Sequence, residues 1–249
     1  MVLVPPCTRN IGLRMTASST YTTILFDLDH TLFDFDTSEA MAFEATLREA
    51  GVEHPDAHFA TYDRINRQLW QEVERNEISV DEVSWVRFER LMAELQLEID
   101  PRRLAASFAT GLGEHGDLYP GAREVLELFG QHATLAMVTN GLSAVQRARI
   151  QRLELGQYFS AIAISAELGV SKPGSEIFEA TFTMLNNPPK QSAVMIGDSL
   201  SSDIRGGSNF GIATCWYNPS GNIAGAEHQI DHEATSLAAL AKLVTQTGY

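Results

Sequence analysis

Residues 24 to 33 read ILFDLDHTLF, an apolar run that ends in two aspartates, Asp27 and Asp29, one leucine apart. In an extended strand alternate side chains share a face, so carboxylates two residues apart are pushed together unless the chain bends or a cation lies between them. Like charges held that close raise one another's pKa or require a metal. A continuous apolar run marks a strand buried on both faces, as in parallel sheets, whose ligands bind beyond the carboxyl ends of the strands. The pair therefore stands where a site is expected.

With Thr23 to Phe26 as the first, four more apolar runs have strand length and are followed by turn residues: Thr134 to Val138, Ala161 to Ser165, Ala193 to Ile196 and Ile212 to Trp216. Helical patterns separate the last four, in GAREVLELFG from Gly121, SAVQRARIQRLEL from Ser143 and SEIFEATFTML from Ser175. This βαβ alternation predicts an α/β fold, a Rossmann-like doubly wound parallel sheet built from 22–34 and 117–249. A weak sixth strand near Gln229 and a last helix over Ser236 to Val244 are expected to complete it. The interval 35–116 carries helical patterns only and predicts an inserted all-helical domain, long enough for four antiparallel helices. Within it Ser79 and Glu82 have the spacing of a capping box, and Asp100-Pro101 that of a helix start. Because the insertion follows the first strand directly, it can fold back over the strand ends and cover Asp27 and Asp29.

A chain of 249 residues, 44% apolar and 20% charged, suits one large domain or a core with a smaller insertion. Its net charge of -14, from 18 basic and 32 acidic side chains, argues against a nucleic-acid polymer or an anionic membrane as partner. A small anionic molecule remains compatible. No run reaches the roughly 18 apolar residues of a membrane helix. Cys7 and Cys215 give neither a disulfide framework nor a metal site, and a reducing cytoplasm is the expected location. Residues 1 to 21 read as a loose tail without a signal-peptide core, and a start at Met15 would still give the whole predicted domain.

The other strand ends carry polar residues. Thr139, Asn140 and Gly141 precede a helix, and a hydroxyl, an amide and free N–H groups at a helix start suit an anion such as phosphate. Lys172, just before Pro173 and an expected proline-initiated helix, offers a cation. GDSLSSD places Asp198 at the fourth strand end and Asp203 five further on. Asp27, Asp29 and Asp198 together make a hard, oxygen-rich site that favours Mg²⁺ over zinc or copper. His30 is expected to turn away from Asp29 into a structural or exposed role, and Arg147, Arg149 and Arg152 to form a solvated helix face. Tyr62, Trp70, Trp85 and Phe88 recur at helical spacing in the insertion and read first as its core, with a stacking platform as the alternative.

The ordered set DLDHT, TNG, SKP and GDSLSSD resembles the four motifs of the haloacid-dehalogenase superfamily, and with the helical insertion the chain looks like its phosphatases that carry a cap after the first motif. The resemblance implies Asp27 as the nucleophile that forms an aspartyl-phosphate, and Asp29 as acid and base, its backbone carbonyl also helping to hold Mg²⁺. It implies Thr139, Asn140 and Lys172 as ligands of the phosphoryl oxygens, Asp198 as a metal ligand and Asp203 as support for the metal's water shell. TNGLSAVQRARIQRLELGQYF, ISAELGVSKPGSEIF, DIRGGSNFGIATCWYN and the cap stretch NRQLWQEVERNEIS are similar to the branch of pyrimidine 5′-nucleotidases. That implies a small phosphate ester as partner, a nucleoside 5′-monophosphate, with Trp70 the first choice for stacking on the base. The alternatives are a sugar-phosphate phosphatase such as an acylneuraminate 9-phosphatase, then a haloacid dehalogenase or a non-catalytic binding protein. Oligomeric state has no signal in the sequence.

Overall fold

The structure is a computed structural model that describes residues 21–74, 77–241 and 243. The N-terminal leader with Cys7 and Met15 lies outside the described residues. Six strands, β1 (Thr23–Phe26), β2 (Thr134–Thr139), β3 (Ala161–Ile164), β4 (Ala193–Gly197), β5 (Ala213–Tyr217) and β6 (His232–Ala234), form one sheet in the order β3-β2-β1-β4-β5-β6. Every neighbouring pair is parallel, with β1 central between β2 and β4.

The continuous apolar runs are explained by helices on both faces of the sheet. Ile24 and Phe26 share one face with Met137, Val194 and Ile196, packed under α5 (Ala122–Gly130) and α10 (Leu237–Leu240). Leu25 points to the other with Val138 and Met195, under α8 (Ser175–Met184) and Phe210 of α9 (Arg205–Phe210). All of β1 is buried, and a large side chain removed from water this way stabilises the fold by about 1.5–3 kcal/mol.

Expected and observed elements differ at the edges. The sixth strand starts at His232, because the Gln229 carbonyl accepts the Ser208 and Thr214 hydroxyls and Asp231 accepts the Thr214 N–H, contacts that replace a ladder there. Ser165, expected to end a strand, opens the short helix α7 (Ser165–Leu168). The helix after Lys172 begins at Ser175 with Gly174 as its N-cap, so Pro173 lies outside it. The last helix spans Leu237–Leu240, with Ser236 and Ala241 as its caps, and Lys242 and Val244 of its expected span lie outside the described residues.

Four helices, α1 (Phe35–Glu49), α2 (Phe59–Glu74), α3 (Val80–Leu95) and α4 (Pro101–Glu114), fill the insertion. Asp34 caps α1, Ser79 and Glu82 make the reciprocal capping box of α3, and Asp100 with Pro101 opens α4. These helices own a separate core centred on Tyr62, whose ring meets those of Phe43, Phe59, Phe88 and Phe108. Val145 of α6 (Ser143–Arg152) joins that core, so α4 rests on a helix of the sheet layer. The chain leaves and returns side by side: the Asp34 N–H donates to the Asp117 carbonyl at 3.0 Å and the Tyr119 N–H to that of Leu32 at 2.8 Å. Among the described residues no helix is long and apolar enough to cross a membrane.

Candidate active site

Asp27 closes β1, its N–H bonded to the Ile196 carbonyl of β4. The chain then turns sharply, with the Leu28 carbonyl accepting the N–H groups of Thr31, Leu32 and Phe33 and with His30 at φ 61°. This bend sends the two aspartates to different partners. Asp27 meets the Lys172 ammonium at 2.5 Å, whereas Asp29 meets the Arg149 guanidinium at 2.7 Å.

Around Asp27 the ends of β1, β2 and β4 converge. Lys172, 4% exposed, also donates to Asp203 at 2.8 Å and to the Val138 carbonyl at 2.8 Å. The Asn140 side chain exchanges two 3.0 Å hydrogen bonds with the Lys172 backbone, so its amide holds the lysine loop, and the Gly141 N–H donates to the Ser165 hydroxyl at 3.0 Å, which leaves the Asn140 N–H as the anion-facing backbone group of this corner. Thr139 is buried and accepts from Gln146 at 2.8 Å. The Thr31 hydroxyl accepts the Asp198 N–H at 3.1 Å and lies within 3.5 Å of both the Asp27 and Asp198 carboxylates. Asp203 accepts the Ser199 N–H at 3.0 Å. Its carboxylate lies over Gly197, where a Cβ would sit 2.2 Å from Oδ2, so the close approach requires glycine at the end of β4.

Asp27, Asp198 and Asp203 each bring a carboxylate oxygen within 4.8 Å of the others. Three carboxylates share one buried ammonium, which leaves the cluster with excess negative charge. Burial pushes the Asp27 carboxyl well above its ordinary pKa; Lys172 opposes this, and Asp203 and Asp198 add to it. Asp198 is pushed up to about 6, by burial first and Asp203 second, with His30 and Lys172 opposing. Burial works against the Lys172 ammonium, but Asp203 and Asp27 more than offset it and raise its pKa. A crowded set of hard oxygen donors with unbalanced charge fits a divalent cation such as Mg²⁺. The Asp29 carboxylate stands outside this trio, so the expected three-aspartate set differs from the observed one by the exchange of Asp29 for Asp203.

The arginine triplet is not a solvated face. Arg147 is exposed and paired with Glu167, but Arg149 is 1% exposed and Arg152 donates to the carbonyls of Gly113, His115 and Gly116 at the end of α4. Arg149 and Gln146 are the site-adjacent residues the sequence reading missed. The usable signal was their i,i+3 spacing on the helix flank that also carries the apolar Val145 and Ile150. His30 is a partly exposed neighbour, its ring tilted against that of Phe35 with centroids 5.2 Å apart. Tyr62 and Phe88 are core, and Trp85 lies under the Arg102 guanidinium. Trp70 is 43% exposed on α2 and makes none of the contacts that join the strand-end residues.

The profile of a hydrolase family, haloacid dehalogenase-like hydrolase, matches residues 21–211. The chain belongs to the haloacid dehalogenase-like hydrolase family. This hydrolase is 38% identical over 200 residues to the pyrimidine 5′-nucleotidase PynA of Streptococcus pneumoniae, covering 80% of this chain and 84% of that one. It is 35% identical over 195 residues to the pyrimidine 5′-nucleotidase YjjG of Escherichia coli, covering 78% and 85%. Among solved structures, the magnesium-bound HAD-hydrolase YfnB of Bacillus subtilis, described as revealing interdomain movement, superposes with a TM-score of 0.85 at 32% identity, over 90% of this hydrolase and 99% of YfnB.

Proposed function

We propose that this hydrolase cleaves phosphomonoesters with the help of Mg²⁺ and that its preferred substrates are pyrimidine nucleoside 5′-monophosphates. The observation that carries the substrate is the 35–38% identity to two pyrimidine 5′-nucleotidases over about four fifths of the chain, insertion included. In this reading an Asp27 carboxylate oxygen attacks phosphorus, the bond to the ester oxygen breaks, and Asp29 gives that oxygen its proton. Asp29, now a carboxylate, takes a proton from water as the water oxygen attacks phosphorus; the Asp27–phosphorus bond breaks and orthophosphate leaves. Lys172, Thr139 and the backbone N–H of Asn140 hold the phosphoryl oxygens. Asp27, Asp198 and the Asp29 backbone carbonyl would hold the metal, with Asp203 fixing Lys172 and supporting the metal's waters. When bound, Mg²⁺ neutralises the excess charge of the cluster and polarises a phosphoryl oxygen.

The strand ends grip phosphate alone, so discrimination among esters falls to the helical insertion, which we read as a cap that also excludes water. Trp70 is the cap aromatic assigned to the base, a stacking contact that contributes about 1–3 kcal/mol in comparable settings. The test is phosphate release from a panel of nucleoside monophosphates, hexose phosphates, an acylneuraminate 9-phosphate and an aryl phosphate, each with Mg²⁺ and with excess chelator. The reading expects the highest kcat/KM for pyrimidine monophosphates and loss of turnover on chelation. A higher value for a sugar phosphate overturns the substrate assignment, and full turnover in chelator overturns the metal.

A further inference from the structure

We infer that Gln146 and Arg149 are a positioning pair that fixes the Asp29 carboxyl for proton transfer, and that Arg149 ties this orientation to the seat of the helical insertion. The inference rests on the reading of Asp29 as acid and base. Each Asp29 oxygen has its own donor: Arg149 Nη1 reaches Oδ1 at 2.7 Å and Gln146 Nε2 reaches Oδ2 at 2.9 Å. An aspartate side chain turns about two bonds, and two donors from one helix remove both freedoms. The Gln146 amide also donates to the Thr139 hydroxyl at 2.8 Å, which links the proposed acid to the proposed phosphate corner. Gly141 makes room for it, since a Cβ there would sit 2.9 Å from Nε2.

Arg149 does more than fill space. Its Nε donates to the Leu112 carbonyl at 2.7 Å, its Nη2 lies 3.4 Å from the Ser38 hydroxyl, and its guanidinium covers the Phe33 ring at 4.4 Å. Leu112 belongs to α4 and Ser38 to α1, so one rigid fork is shared between the insertion and Asp29. A buried guanidinium is costly unless all its donors are matched, and one of its strongest partners is a carboxylate that is 21% exposed beside the site. Displacement of a reacting group by about 1 Å costs on the order of 10²-fold in rate, which is the scale such a clamp controls.

The test compares phenyl phosphate with 4-nitrophenyl phosphate, two aryl esters whose leaving oxygens differ in their need for a proton. The ratio of their kcat/KM values, which covers only the steps up to loss of the leaving group and not hydrolysis of the shared aspartyl-phosphate, is independent of the folded fraction in a single preparation, so a partly unfolded variant still reports. In Arg149→Met and in Gln146→Met the phenyl-to-nitrophenyl ratio should fall roughly tenfold, with KM for either ester changed less than about threefold. Arg149→Lys should recover part of the ratio, because an ammonium reaches Asp29 but cannot also hold Leu112. Asp29→Asn should lower the ratio at least as far, and Asp29→Asn combined with Arg149→Met no further. If Asp29→Asn lowers the ratio and neither helix variant does, the positioning inference is wrong while the acid assignment stands. If Asp29→Asn leaves the ratio unchanged, the acid assignment fails and the inference falls with it.

Discussion

Lys172 is held by two carboxylates and a carbonyl in a place water barely reaches. Removing one partner of a buried charge pair typically costs about 3–5 kcal/mol, because the remaining charge has no counter-ion. Lys172→Met should therefore lose about that much in urea unfolding without metal, and added Mg²⁺ should return part of it; an unchanged midpoint would contradict the charge accounting. Asp27→Asn is the opposite case. It removes a carboxyl whose ionised form burial disfavours, so turnover should drop on the order of 10⁴-fold while the unfolding midpoint holds or rises. The strand-end residues were legible because each follows an apolar run, and parallel topology forces such ends together. Arg149 was not, because what buries it, the Leu112 carbonyl and the Phe33 ring, is remote in sequence and belongs to no motif.

Within the insertion, α1 and α2 share a polar knot in an apolar core. One oxygen of Glu39 accepts from the Tyr62 hydroxyl at 2.9 Å and from Asn66 at 3.2 Å. Burial raises the Glu39 pKa above its ordinary 4.5, with Tyr62 and Arg87 opposing. The folded chain thus keeps this proton to higher pH than the unfolded chain does. Stability should decline as pH rises from about 4.5 through the folded pKa, then level off. Glu39→Gln keeps an acceptor for Tyr62 without the charge; it should flatten that decline and raise Tm at neutral pH by a few degrees, as about 1 kcal/mol does in a chain this long. A steeper decline in the variant, followed calorimetrically from pH 4 to 8, would refute this. Element types were readable from periodicity and caps, as at Ser79 and Asp100. The sixth strand expected near Gln229 starts just past it, at His232, because side chains, those of Ser208 and Thr214, occupy the Gln229 carbonyl, and no backbone pattern encodes that.

For the molecule as a whole, β1 pairs on both sides with strands that follow the insertion, so no strand of the sheet depends on what lies between Asp34 and Asp117 for its register. Exchanging 35–116 for the matching segment of a relative with another substrate should keep turnover of a small aryl phosphate and shift relative kcat/KM for larger esters more than tenfold, the scale of about 1.4 kcal/mol in differential binding. Retention of the original substrate ranking would place selectivity in the sheet layer instead. The alternation of strands and helices made the layering legible from sequence; the docking of α4 on α6 was not, since α6 buries Gln146 and Arg149 beside Val145 and Ile150 and so shows no clear apolar stripe. The adjacent crossings at Asp34 and Asp117, bonded to each other, have a consequence for descent as well as chemistry. The two crossings are neighbours in space although their codons stand far apart, so an in-frame recombination event with both breakpoints there replaces one contiguous cassette and leaves every strand end of the sheet intact.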